Sequence, residues 1–411
     1  MLQEAEMRLT MNERKKATAV VAGRYQKARK KDKGLILDEF VKLTGYSRRY
    51  ASHVRISHGR KLRVNRRYVL QLDVKKTASR RKPKVYDAEV SKALKEIWYI
   101  MDCICGKRLA PALKDVVRRL ERFGEIRLSG EVQQKLLKIS PASIDRLLAK
   151  ERKRYQIKGR GNTKPGTLLK HQIPIRTFSD WDGQTPGFVE IDLVGHDGGD
   201  SHGDFAQTLD VTDVCTTWTE TEAVRNKAQV WVFEALKDIR GRMPFPLLGI
   251  DSDSGGEFIN KHLFRYCQQE KITFTRPRSY RKNDGCFVEQ KNYSVVRRAA
   301  GYLRYDTEEE LLTLKELYRY LRLYTNFFQP TMKLIEKTRI GSKVTKKYDK
   351  AQTPYRRVLA CSDVSAEDKQ ALKKLYATLN PARLKRHITR LQQKLHKLNI
   401  QKRSPKKKTA A

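Results

Sequence analysis

A chain of 411 residues, 39% of them hydrophobic, is long enough for two to four domains with real cores. Its formal charge of +42, from 88 Lys+Arg against 46 Asp+Glu, excludes an ordinary near-neutral profile and points to a polyanionic partner. No eighteen-residue apolar run interrupts it and no signal-like segment heads it, so a membrane span is excluded and a soluble, intracellular protein is expected.

After the first residues, Asn12 to Lys31 reads as one basic helix. Leu35, Ile36, Phe40, Val41 and Leu43 then repeat with helical periodicity, Gly45 breaks it, and Ser47 is a candidate N-cap for a further helix. Helix, short glycine turn and Arg-bearing helix form a helix-turn-helix pattern. Arg48, Arg49, His53 and Arg55 are expected on or near the exposed side of the second helix as DNA contacts; the plainer reading is a helical hairpin with a solvated basic face. This gives a DNA-binding domain over 1–62 and a basic linker over 63–84, with Arg81 and Lys82 in its RRKPK end suited to tracking phosphates. Residues 85–155 read as a second helical, helix-turn-helix-like module. Ser140 is its candidate N-cap, Pro141 takes the first helical position, and Ser143, Arg146 and Lys150 lie toward the outside.

Residues 156–180, with KGRGNTKPG, form a linker. The charge then changes sign: residues 181–270 carry 16 Asp+Glu against 7 Lys+Arg. Here FVEIDLV, FAQTLDVTD and TWTETEAV suit three adjacent antiparallel strands, Gln229–Arg240 a helix and PLLGIDSD a buried strand. Glu257–Glu270 reads as a helix, ITFTRP as a strand, and Gly285–Leu303 and Glu308–Phe328 as helices. A meander followed by alternating strands and helices is a mixed α/β sheet, assigned to 181–345. The basic C-terminal region, 346–411, ends in helices; Leu384, Ile388, Leu391, Leu395 and Leu398 form a heptad-like stripe that either pairs with another helix or packs on its own domain. The six scattered cysteines lack zinc spacing and read as reduced core thiols.

Three carboxylates stand out. Asp192 sits among apolar neighbours in EIDLV, where an uncompensated charge is costly and a cation is the natural compensation. Asp253 ends a strand and is followed by SGG; Asp251, two residues earlier, is its rival. Glu289 lies on a helix with Asn292, Arg297 and Arg298 downstream, as candidate contacts to a nucleic acid. Asp197, Asp200, Asp204, Asp210 and Asp213 read as turn or surface residues, and Glu257 as an acid at a helix start. Three acids from two strands and a helix are what a pair of Mg²⁺ (or Mn²⁺) ions needs, and such a pair clamps the attacking and leaving oxygens of a phosphoryl transfer.

On these residues the chain resembles the DDE transposases of bacterial insertion sequences that share the retroviral-integrase catalytic core. The resemblance rests on Asp192 in its strand, Asp253 in SDSGGEF and Glu289 in GCFVEQKN with Asn292 following, and on the thirty-five residues (254–288) between the second and third acids. It departs in Ser254, where that family more often has Asn, and in lacking the His/Cys zinc module of retroviral integrases. The resemblance implies helix-turn-helix modules ahead of a ribonuclease-H-like core, two Mg²⁺ held by the three acids, and cutting and joining of DNA. It also implies duplex DNA partners (transposon ends and target), a homo-oligomer on DNA, and a cytoplasmic, nucleoid-associated bacterial setting. A regulator or domesticated protein that kept the fold without catalysis is the alternative, and a metal nuclease that cuts without joining is a third reading.

Overall fold

The computed structural model describes residues 9–57, 61–63, 69–71, 85–153, 175–176, 185–252, 257–258, 260–277 and 286–403, in two compact units, Met1–Val85 and Tyr86–Ala411. In the first unit, α1 (Met11–Lys27) opens on a capping box: Thr10 accepts from the Glu13 N–H and the Glu13 carboxylate accepts from the Thr10 N–H at 2.7 Å. The sequence suggests one helix running on to Lys31, but Ala28 and Arg29 are extended, and a new helix, α2 (Lys30–Thr44), begins there. Gly45, at φ 66°, supplies the left-handed residue that ends α2, and α3 (Arg48–Ser57) follows. Leu37, Phe40 and Ala51 hold the three helices together, and strands β1 (Lys61–Arg63) and β2 (Val69–Gln71) pair antiparallel.

The second unit begins with α4 (Ala88–Ile100), α5 (Gly106–Arg122), α6 (Gly130–Lys138), α7 (Pro141–Leu147) and α8 (Ala149–Lys153). Ser140 caps α7 by accepting from the Ser143 N–H, with Pro141 at the first position, as the sequence suggests. The sheet region follows: β3 (Ile175–Arg176), β4 (Phe188–Gly195), β5 (Gln207–Asp213), β6 (Thr219–Val224), α9 (Gln229–Arg242), β7 (Gly249–Ser252), α10 (Lys261–Gln269) and β8 (Thr273–Pro277). Next come α11 (Cys286–Lys291), a π-helical stretch (Asn292–Arg297), α12 (Arg298–Ala300) and α13 (Glu308–Phe328). The chain continues as β9 (Leu334–Ile340), β10 (Lys343–Tyr348), α14 (Pro354–Ala360), α15 (Ala366–Thr378) and α16 (Pro381–Arg403). Helix α10 starts four residues later than the sequence suggests, because Asn260 and not Glu257 caps it, accepting from the Leu263 N–H at 2.8 Å.

The six-stranded sheet has the order β3-β8-β7-β4-β5-β6. Strands β4, β5 and β6 form the expected antiparallel meander, and β7 and β8 add parallel on the other side of β4. It is therefore a mixed sheet in an α/β unit. Register makes its two faces chemically opposite. Val189, Ile191, Leu209, Val211, Ile250 and Phe274 share the apolar face and pack with Val232, Leu236 and Ile239 of α9 and Leu263 of α10. On the other face the register aligns Glu190 with Thr212 and Asp251, Asp192 with Asp210, and Asp210 with Thr221. That polar face is nevertheless largely buried, so each of its groups has to find a partner inside the protein.

The second core lies beyond the sheet. It joins Leu94, Trp98, Leu113 and Leu120 of α4 and α5 to Leu314, Leu317 and Tyr318 of α13 and to Leu384, Ile388, Leu391 and Leu395 of α16. Segments that the sequence divides at 155 and 346 thus share one core, and the leucine stripe of α16 packs within its own unit. Helix α16 also holds the chain from α12 onward: Gln392 donates to the Ala299 carbonyl at 2.8 Å and Asn399 to the Arg304 carbonyl at 2.7 Å, while Lys402 binds Asp306 at 2.7 Å and Glu310 at 2.9 Å. The outer edge of β6 is closed by α13, where Asn326 accepts from the Thr219 N–H at 2.9 Å and donates to the Thr219 carbonyl at 2.8 Å.

Candidate active site

The polar face of the sheet, covered by α11 and the π-helical stretch, is where the acids gather. Asp192 is half-buried on β4. Its Oδ2 accepts from Asn292 Nδ2 at 2.6 Å and its Oδ1 from the Leu193 N–H at 2.8 Å. Asn292 begins the π-helical stretch, and such stretches recur at functional sites because they re-aim side chains. Glu289 lies one helical turn before Asn292, on α11, and is exposed.

The start of α11 is fixed by an acid the sequence reading did not single out. Glu190 Oε2 accepts from the N–H groups of Phe287 and Val288 at 2.8 and 3.0 Å, and a carboxylate also suits the positive end of a helix. Its position in the strand, two residues before Asp192 on the same face, was the available signal. Beside Asp192 across the sheet is Asp210, and the expectation of a turn or surface residue is corrected: it is fully buried in the middle of β5. Burial pushes its carboxyl well above the usual range, Lys291 pulls it back down, and Asp192 pushes it up again. Lys291, also buried, has its ammonium pushed down by desolvation against the pull of Asp210, and its Nζ reaches the Thr217 carbonyl at 3.4 Å. Asp213 is corrected likewise. It is buried at the end of β5 and accepts from the Gly187 N–H at 2.8 Å and from the Thr216 N–H and hydroxyl at 2.6 Å each. Burial pushes it up to about 6 against the pull of those donors. Asp197, Asp200 and Asp204 do lie on the loop after β4, half-buried or exposed.

Farther along this face, His196 Nε2 and Tyr318 Oη both bond the Thr208 hydroxyl, at 2.7 and 2.6 Å. Complete burial pushes the His196 imidazolium down to about 3, so the ring is neutral. Asp251, the rival second acid, is buried on β7 and accepts from the Thr275 hydroxyl at 2.6 Å. Asp253 lies outside the described residues, and among the described residues no group of three His, Cys, Asp or Glu side chains is close enough to hold a metal.

Of the candidate nucleic-acid contacts, Arg49 and His53 are exposed, and Arg48 is exposed but paired with Asp38. Arg55 is a correction. It is buried, its guanidinium 4.1 Å over the Tyr25 ring and its Nε donating to the Ala51 carbonyl at 2.9 Å, because α1 and α2 cover that side of α3. Arg81 and Lys82 lie outside the described residues. Arg146 and Lys150 are exposed and Ser143 is half-buried, accepting from Arg146 at 3.1 Å. Arg297 is half-buried, 5.0 Å over the Tyr302 ring, and Arg298 binds Asp102 at 2.9 Å. Among the described residues Cys103, Cys105, Cys215, Cys267 and Cys361 are free thiols, and no helix is long and apolar enough to cross a membrane.

No protein-family model matches the chain. Over 350 residues it is 39% identical to the uncharacterised protein y4rM of Sinorhizobium fredii, a likeness covering 85% of this chain and 96% of that protein. Among solved structures it is similar to the catalytic core domain of BIV integrase, at 15% identity and a TM-score of 0.28, over 41% of this chain and 91% of that one. It is also similar to the HTLV-2 integrase catalytic core domain in complex with magnesium, at 13% identity and a TM-score of 0.28, over 36% of this chain and 92% of that one.

Proposed function

The chain belongs to the same family as the uncharacterised protein y4rM of Sinorhizobium fredii, and from that premise we propose that it is a DDE-type transposase that cuts transposon-end DNA and joins it to a target. One observation carries the reading: Asn292 ties Asp192 of the central strand to the helix that bears Glu289 one turn earlier. The mixed sheet with its meander supports the ribonuclease-H-like core, and the charge of +42 supports a DNA partner. In this reading α2 and α3 form one DNA-reading module and α6 and α7 another. The protein acts as an oligomer on DNA and works in the bacterial cytoplasm.

Asp192, Asp253 and Glu289 would hold two Mg²⁺ or Mn²⁺ ions. The donor set suits them, since it is all oxygen, and Asn292 Oδ1 and Asp210 Oδ2 are buried beside it without a hydrogen-bond partner among the described residues. Bound there, the ions would supply charge neutralisation at the attacking and leaving oxygens. The chain's own part is positional. Asn292 fixes the rotamer of Asp192, Glu190 fixes the first turn of α11, and Lys291 offsets the buried charge of Asp210. In the first step a water oxygen bonds to phosphorus, the bond to the 3′ oxygen breaks, and a 3′-hydroxyl leaves. That hydroxyl then attacks a target phosphodiester and displaces a second 3′-hydroxyl, with no covalent protein–DNA intermediate and no ATP.

The test is strand transfer by the purified chain on the end sequences of its own element, with Mg²⁺ and with EDTA. Asp192→Asn, Asp253→Asn and Glu289→Gln are each expected to abolish joining while leaving DNA binding within about twofold, since each removes a ligand that acts only in the reaction. Full activity in Asp253→Asn with loss in Asp251→Asn would move the second ligand to Asp251. Normal joining in Asp192→Asn or Glu289→Gln would refute the mechanism, and DNA binding without any joining by the wild type would favour the non-catalytic regulator.

A further inference from the structure

Among the described residues, strands β9 and β10 pair only with each other, joined by a two-residue loop in which Gly341, at φ 60°, takes the left-handed conformation that tight hairpins require. Every residue of β9 is exposed on both faces, Ile335 at 62% and Ile340 at 79%. An isolated two-stranded hairpin is marginal in water, so the exposure of both faces is a cost that a partner would remove. The base, by contrast, is fastened firmly. Lys333 N–H donates to Asp349 at 2.7 Å, Asp349 binds Arg357 at 2.7 Å, and the Thr331 and Thr217 hydroxyls meet at 2.7 Å. Lys333 Nζ donates to the Cys215 carbonyl at 2.9 Å. Thr217, whose carbonyl receives Lys291, thus links the root of the hairpin to the site.

Charge identifies the partner. Residues 333–350 contain seven Lys or Arg and two acids. Glu336 is on one face of the ribbon, 4.0 Å from Lys347, and Asp349 is at the root. Register places Lys337 opposite Lys346 and Arg339 opposite Val344 on the other face, together with Ile335 and with no acid. At the hairpin's root lies a cleft of about 550 Å³ lined by Lys107, Pro141, Lys346 and Lys350 together with Asp349 and apolar residues such as Met332, and it reaches the start of α7. A seven-residue strand spans about 23 Å, and a major groove about 12 Å wide admits a two-stranded ribbon.

We infer that the hairpin Leu334–Tyr348 is a duplex-DNA-binding arm that sets Lys337, Arg339 and Lys346 against phosphates beside the candidate active site. The inference rests on the DNA-acting reading above and adds to it a surface that the site itself does not require. The test compares the full chain with the triple variant Lys337→Gln/Arg339→Gln/Lys346→Gln, and with a control removing three exposed charges elsewhere, Lys237→Gln/Lys373→Gln/Lys374→Gln. Fluorescence anisotropy on a duplex of arbitrary sequence, over a salt series, gives affinity and its salt slope. Each phosphate contact contributes about 0.9 to that slope, so the hairpin variant should lose about 2–3 from it and bind about tenfold or more weakly at low salt. The control should change little. Equal losses in the two variants would reduce the effect to net charge and overturn the inference. An unchanged slope accompanied by a loss of self-association in light scattering would overturn it too, assigning the hairpin to a second copy of the chain. Wild-type protein that fails to bind duplex DNA would refute the DNA reading itself, a different result from wild-type binding that the hairpin variant retains.

Discussion

Lys291 and Asp210 are both buried beneath the candidate site, each the chief opposing charge felt by the other. Replacing Lys291 by Met removes the cation and leaves the Asp210 carboxylate, one of whose oxygens has no hydrogen-bond partner among the described residues, in a place with little water. Breaking one side of a buried pair costs about 3–5 kcal/mol, whereas removing both sides and keeping the volume is often close to neutral. Lys291→Met and Asp210→Asn should therefore each destabilise the second unit by roughly 3–5 kcal/mol, and the double variant by only about 1–2 kcal/mol. The difference corresponds to a coupling energy well beyond the ~0.5 kcal/mol within which independent sites add. The hydrogen bond from Lys291 to the Thr217 carbonyl is lost in both the single Lys291 variant and the double, so it cancels from the cycle. Urea unfolding followed by tryptophan fluorescence measures the four stabilities, because Trp218 sits in the core of this unit. Costs that simply add in the double variant would refute the pairing.

Asn326→Ala removes the side-chain partner of both the N–H and the C=O of Thr219 at the edge of β6, where all the groups are buried; two unsatisfied backbone groups predict a loss of roughly 2–5 kcal/mol, read by the same urea titration, and Asn326→Asp should not restore it because it lacks the donor. His196 is neutral in the folded state with its pKa pushed down to about 3 from 6.5, so the unfolded chain binds the extra proton between those values. Its contribution to stability is complete above pH 6.5 and is lost as pH falls toward 3, at up to about 1.4 kcal/mol per unit. His196→Gln should flatten stability against pH over pH 6 to 4, and an unchanged slope there would show that another group carries it.

Part of the candidate site was legible because its logic is local. Asp192 among apolar neighbours, and Glu289 with Asn292 one turn on, are patterns that neighbouring residues define by themselves. Asp210 and Asp213 were not, since TLDVTD says which residues share a face and nothing about what covers it; the cover is a helix about eighty residues further on. Arg55 failed for the same reason in reverse, as its own helix allowed exposure and α1 and α2 removed it. The hairpin was readable, because LIEKTRI and KVTKKY flank the two-residue loop Gly341–Ser342. For α16 the sequence could state the stripe but not choose its partner, a choice made by the apolar surface of α13.

The clamp that α16 places on the segment from α12 onward has a consequence for synthesis. Chains emerge from the ribosome amino end first, and domains fold as their partners appear. The described helices of the first unit are in place once residue 57 is out, but Ala299, Arg304 and Asp306 wait for Gln392, Asn399 and Lys402. A nascent chain therefore carries α1, α2 and α3 long before the helix bearing Glu289 is braced from behind. On the proposed reading, in which α2 and α3 contact DNA, the DNA-contacting helices are complete before the helix that bears Glu289 is braced.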